Sequence, residues 1–185
     1  MRPELITVSL SLVLGACAGG VSVSHTYIPQ RGVPGHAQYA AAQGPTPVVV
    51  RNTPIPAPVI VAALQKNSSR PDLVFTTDPP PSLTAGYRVL LSFDRLSAGG
   101  LQVCRESPAP VPIAADARGA TSQNTSVHGA FCLGPVLLSE SVVTAPRLES
   151  PRDPRLTRMM GDLLAAIMPA HELPDGTYRC YPRCD

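Results

Sequence analysis

Cysteines, histidines and scattered carboxylates are the residues of this 185-residue chain whose types could do chemistry. The cysteines are Cys17, Cys104, Cys132, Cys180 and Cys184; the histidines are His25, His36, His128 and His171. A thiol can act as nucleophile, metal ligand or half of a disulfide, and spacing separates these roles. Cys180 and Cys184 form Cys-x-x-x-Cys, which lacks the two-residue spacer of thioredoxin-like and zinc-knuckle sites. His128 and Cys132 share a face of an extended segment, but two donors do not make a metal centre. His171 opens His-Glu-Leu-Pro-Asp, with Pro174-Asp175 where a zinc protease motif would need a second histidine. Asp94, Glu106, Glu140 and Asp162 are candidate paired carboxylates, yet no spacing brings two of them together, and each is expected to be a solvated surface group. A nucleophile elbow, a phosphate loop and a dinucleotide-binding glycine fingerprint are all missing from the sequence. No catalytic residue, metal ligand or cofactor is therefore assigned.

Cys17 stands apart from the rest. It closes an N-terminal segment with Arg2 near its start and a ten-residue apolar run, Leu5 to Leu14. A membrane-spanning helix needs ~20 predominantly apolar residues, so this run has the length of an export-signal core. Small residues follow it. Two readings of them are open: cleavage before Cys17, or ordinary secretory cleavage after Ala16-Cys17-Ala18. The run Leu14-Gly15-Ala16-Cys17 resembles the lipobox of bacterial lipoproteins. That resemblance covers residues 1–20 only. It implies that the Cys17 thiol receives a diacylglyceryl group, that the signal 1–16 is removed, and that Cys17 becomes the acylated first residue. Two or three acyl chains (palmitate-type) anchor stably where one is marginal. Ala18, in place of Asp, after the cysteine implies the outer rather than the inner membrane, facing the periplasm.

With Cys17 acylated, four cysteines remain, an even number suited to an oxidising compartment. Three pairings are possible; strand positions favour Cys104 with Cys132, and Cys180 with Cys184.

The elements that must hold these residues come from periodicity and punctuation. The chain has 22 prolines, concentrated in part in residues 18–70 as Pro29, Pro34, Pro45, Pro47, Pro54, Pro56 and Pro58. That density predicts an extended, polyproline-like tether over 17–70. Two apolar islands interrupt it, 47–50 and 59–64, either of which could add a strand to the edge of the following domain. Residues 71–185 have the pattern of a small disulfide-bonded α+β domain. Strands are predicted at 73–77, 87–94, 101–105, 126–133 and 136–144, with 101–105 pairing back antiparallel on 87–94. Tyr87, Val89, Leu91 and Phe93 share one face; Arg88, Leu90, Ser92 and Asp94 share the other. Asp153 and Pro154 open the clearest helix, and Leu156, Met159, Met160, Leu163, Leu164, Ile167 and Met168 line its buried face until Pro169. The expected architecture is a small antiparallel sheet covered on one face by this C-terminal amphipathic helix.

A net charge of +2, with Lys66 the sole lysine, is too small to imply nucleic acid. Arg147, Arg152, Arg155 and Arg158, with Glu149 and Asp153 among them, form the one charge cluster. It reads as a solvated helix face partly neutralised by Asp162, or as a contact for anionic lipid or glycan. Together these features predict a non-enzymatic envelope lipoprotein that meets the membrane through its lipid and binds another envelope protein or a glycan. A narrower form is an accessory factor for secretion or outer-membrane assembly. A reading of another class is a periplasmic hydrolase with a site assembled from scattered residues.

Overall fold

The computed structural model describes residues 20–66, 70–78, 86–93, 103–105 and 123–171. Cys17, Cys180, Cys184, Asp94 and Glu106 lie outside them. In chain order the elements are β1 (Ser22–Tyr27), α1 (Val33–Gln43), β2 (Thr46–Arg51), α2 (Ala57–Lys66), β3 (Phe75–Thr76), β4 (Tyr87–Phe93), β5 (Asn124–Leu133), β6 (Val136–Pro146) and α3 (Pro154–Ile167). Among the described residues the strands form one six-stranded sheet in the order β1-β6-β5-β4-β2-β3. The class is α+β. The sheet is mixed rather than wholly antiparallel: β1, β6, β5 and β4 pair antiparallel, while β2 pairs parallel with both β4 and β3.

The expected tether over 17–70 is not one. Residues 22–66 build two strands and two helices, and β2 sits inside the sheet between β4 and β3. The prolines are compatible with this because of where they fall. Pro34 and Pro58 occupy first turns of helices, where a missing N–H removes no intrahelical bond. Pro29, Pro45, Pro54 and Pro56 lie between elements. The Pro56 carbonyl accepts from Val59 and Ile60, so the alternating prolines before α2 form its entry rather than a stalk. The island 59–64 is helical, and Ile60, Ala63 and Leu64 are buried at helix spacing. Parallel pairing needs a crossover between strands, and α2 supplies it between β2 and β3.

The C-terminal half follows its pattern closely. Gly134 turns the β5–β6 hairpin at positive φ (53°), a conformation glycine adopts without a Cβ clash. Asp153 caps α3 by accepting from the Arg155 backbone N–H. Two expected strands differ. The 73–77 strand is reduced to Phe75–Thr76, and Val103–Arg105 form a turn rather than part of a strand.

The three described helices bury their apolar stripes in one core with Tyr87, Val89, Leu91, Phe93, Val127, Phe131 and Val143. Tyr87 stacks on Phe131 and takes part in a 2.9 Å hydrogen bond with His36 Nδ1; burial raises its phenol above the ordinary value. The opposite sheet face holds a smaller cluster of Leu90, Val103, Cys104, Ala130, Cys132 and Leu137. Both faces of the central strands are therefore covered. No described helix is long and apolar enough to cross a membrane.

Candidate functional site

Three places bear on the residues singled out by sequence. The first is the small-cluster face of the sheet. Cys104 and Cys132 form a disulfide there with Cα atoms 5.8 Å apart. The bond ties the turn at 103–105 onto β5, and the Arg88 guanidinium donates to the Cys104 carbonyl at 2.6 Å. Cys132 shares this face with His128 but, being oxidised, offers no thiolate for a metal.

Toward the other end of that face lies a buried polar band. Register places Ser92 on β4 opposite His128 on β5, and Glu140 on β6 one step diagonal to His128. His128 Nε2 lies 3.1 Å from Glu140 Oε2, and each residue is 5% exposed. Ser92 accepts from Asn52 Nδ2 at 3.1 Å. Asn52 adopts a left-handed backbone (φ 55°), which asparagine tolerates better than most residues, at the point where β2 ends. His128 Nδ1 is buried without a hydrogen-bond partner.

Glu140 is thus not the solvated surface carboxylate expected from sequence. Its correction has a physical cause: Leu90, Ala130, Cys132 and Leu137 make this face apolar too, so polar residues on the same register become buried. That two-sided apolar pattern in β4 and β5 is the signal that could have placed Ser92, His128 and Glu140 together. Serine, histidine and carboxylate are residue types of nucleophilic catalysis. Here, however, the carboxylate takes Nε2 while Nδ1 has no partner, and all three residues are at least nine-tenths buried. The buried His128–Glu140 contact joins β5 to β6, and the separate, half-buried Asn52–Ser92 bond ties the end of β2 to β4.

The second place is the start of α3. Asp153 accepts from the Arg155 backbone and guanidinium at 2.6–3.2 Å, and from the Glu149 backbone N–H. The Arg155 side-chain hydrogen bonds hold the Asp153 carboxyl down at about 2. Arg147, Arg152 and Arg158 are exposed. No salt bridge among the described residues engages Arg152 or Arg158, the expected Arg158–Asp162 pairing included.

The third is the beginning of β1. Val21, one residue before the strand, is 3% exposed and belongs to the main core. Only Ala18, Gly19 and Gly20 separate it from Cys17.

The other sequence candidates are dispersed. His36 lies on α1 and meets Tyr87, His25 falls within β1, and His171 is exposed past the end of α3. The methionine stripe is core: Met159, Met160 and Met168 are fully buried. Among the described residues no group of three or more histidine, cysteine or acidic side chains could hold a metal ion. No family model, curated protein or solved structure matches this chain.

Proposed function

We propose that this chain is a lipid-anchored cell-envelope protein. Cys17, freed by removal of residues 1–16, carries the acyl chains; the α+β domain faces the periplasm, at the outer membrane, and acts by binding another envelope protein or glycan. The observation that carries the reading is Leu14-Gly15-Ala16-Cys17 ending four positions before Val21, the first core residue among those described. Cleavage before Cys17 leaves all of β1 and its lead-in intact. The Cys104–Cys132 disulfide suits an oxidising compartment, and setting Cys17 aside leaves an even number of thiols.

The folding of residues 22–66 into the domain sharpens the proposal. Four Cα steps from Cys17 to Val21 span at most ~14 Å when fully extended. The domain is accordingly held at the bilayer surface rather than raised above it, and its partner has to be reached there.

Mass spectrometry of the mature protein tests the anchor. The expected result is an N-terminal Cys17 bearing diacylglyceryl and an amide-linked acyl chain. An unmodified N-terminus at Gly19 overturns the reading.

A further inference from the structure

The fold decides which end of the domain such an anchor would hold to the membrane. β1 begins beside the end of β6, with Ser22 paired to Thr144. β5 begins at that same end, with Asn124 paired to Pro146, and the Arg147 backbone N–H donates to the Gln123 carbonyl. The chain then turns through 147–153 into α3, which runs back along the sheet until the Ile167 carbonyl accepts from Ser139, near the start of β6. The N-terminal lead-in to β1, the β6–α3 loop and the first turns of α3 therefore share one end of the molecule. The β5–β6 hairpin, with Val136 exposed, marks the opposite end.

That shared end carries the arginine cluster. Arg147, Arg152 and Arg158 are exposed and Arg155 is half-buried, against Glu149 and the Asp153 carboxylate that Arg155 already engages. The first three lie at the same end as Val21, which four Cα steps keep within ~14 Å of an acylated Cys17. We propose that the β6–α3 loop and the first turns of α3, through Arg147, Arg152 and Arg158, rest on the anionic phospholipid surface into which the acyl chains of Cys17 insert. The inference depends on the acylation of Cys17 proposed above. A lipid anchor supplies proximity but leaves orientation open. The short lead-in lets the basic edge settle to within a Debye length (~8–10 Å) of anionic headgroups, and attraction at that range fixes orientation and turns the hairpin end toward the periplasmic partner. Each arginine near an anionic surface favours the docked domain about fivefold, so Arg152 and Arg158 alone favour it about 25-fold.

The test uses the mature acylated chain reconstituted in phosphatidylcholine vesicles with and without about 30% phosphatidylglycerol, a composition that gives a negative surface potential. A photoreactive benzophenone side chain replaces Ser150, exposed in the β6–α3 loop, or Val136 at the hairpin. The expected result is lipid crosslinking from position 150 but not 136. Its yield should fall at least fivefold in pure phosphatidylcholine, in high salt, and in Arg147→Gln/Arg152→Gln/Arg158→Gln. Mass measurement of the N-terminus and retention of the Cys104–Cys132 disulfide accompany each preparation. An acylated, folded chain whose position 150 crosslinks equally in both vesicles, or not at all, overturns the docking surface and leaves the anchor standing. A chain lacking the acyl group overturns the anchor, and the docking surface with it.

Discussion

Gly129 on β5 lies directly beneath Leu163 of α3: a Cβ at position 129 would fall 2.8 Å from Leu163 Cδ2 and 2.9 Å from its Cγ. Leu163 is fully buried, so it has little room to retreat. The missing side chain is what lets α3 settle onto the sheet at this distance. Gly129→Ala is expected to destabilise the domain by ~1–3 kcal/mol through overpacking, and Gly129→Val by more. Urea midpoints at unchanged m-value measure this. A Gly129→Ala protein as stable as the parent would mean that the helix shifts freely over the sheet.

The Cys104–Cys132 disulfide closes a chain segment with a sequence separation of 28. In the chain-entropy model a loop of this size contributes ~3–4 kcal/mol by restricting the unfolded chain. Cys104→Ala/Cys132→Ala is expected to lower the unfolding free energy by that amount, because both partners are removed and no thiol is stranded. The contribution lies mainly in the unfolded state, so the circular dichroism of the folded variant should be unchanged. A loss under ~1 kcal/mol would count against this account of the bond.

Asp153 gives the fold a defined acid response. Its carboxyl falls from an ordinary 3.8 to about 2, chiefly because the Arg155 side chain hydrogen-bonds the charged form. The folded state therefore holds its proton less tightly than the unfolded chain. The stabilisation is complete above 3.8 and is lost as the pH falls from there through about 2. Asp153→Ala is expected to cost ~1 kcal/mol at neutral pH as a lost helix cap. The gap between parent and variant should narrow below pH 3.8, a window that denaturant titrations at several pH values resolve. A gap that stays constant down to pH 2 would contradict the assigned partner.

The legible part of this fold and its opaque part differ for a physical reason. α3 announces itself through a cap, a first-turn proline and a 3.6-residue stripe from Leu156 to Ile167. The β5–β6 hairpin does so through Gly134-Pro135 between two apolar runs. Residues 22–66 hide their elements because proline density and proline position carry opposite messages: Pro34 and Pro58 begin helices, while a count of prolines suggests an extended chain. Short elements compound this, since β1 and β2 have six residues each and take their stability from neighbours in the sheet. The same holds for Glu140. Its burial is set by what covers the second sheet face, which includes Val103 and Cys104 across a long connection that local pattern cannot trace.

The His128–Glu140 pair offers the clearest separation of structure from chemistry. Glu140 Oε2 lies 3.1 Å from His128 Nε2 in surroundings that are nearly dry. Removing one partner of such a pair takes away part of the other's compensation for lost hydration, at a typical cost of several kcal/mol. Replacing both by apolar residues of similar size can be close to neutral. His128→Leu and Glu140→Leu are each expected to destabilise by ~2–4 kcal/mol, and the double variant by clearly less than their sum. His128 Nδ1 already lacks a partner, so the double variant also removes one buried unsatisfied nitrogen. A double-mutant cycle in urea supplies the coupling energy. Strongly coupled single losses with a near-neutral double would mark the pair as a structural connection between β5 and β6. Additive losses would show that the two side chains do not sense each other across the strands.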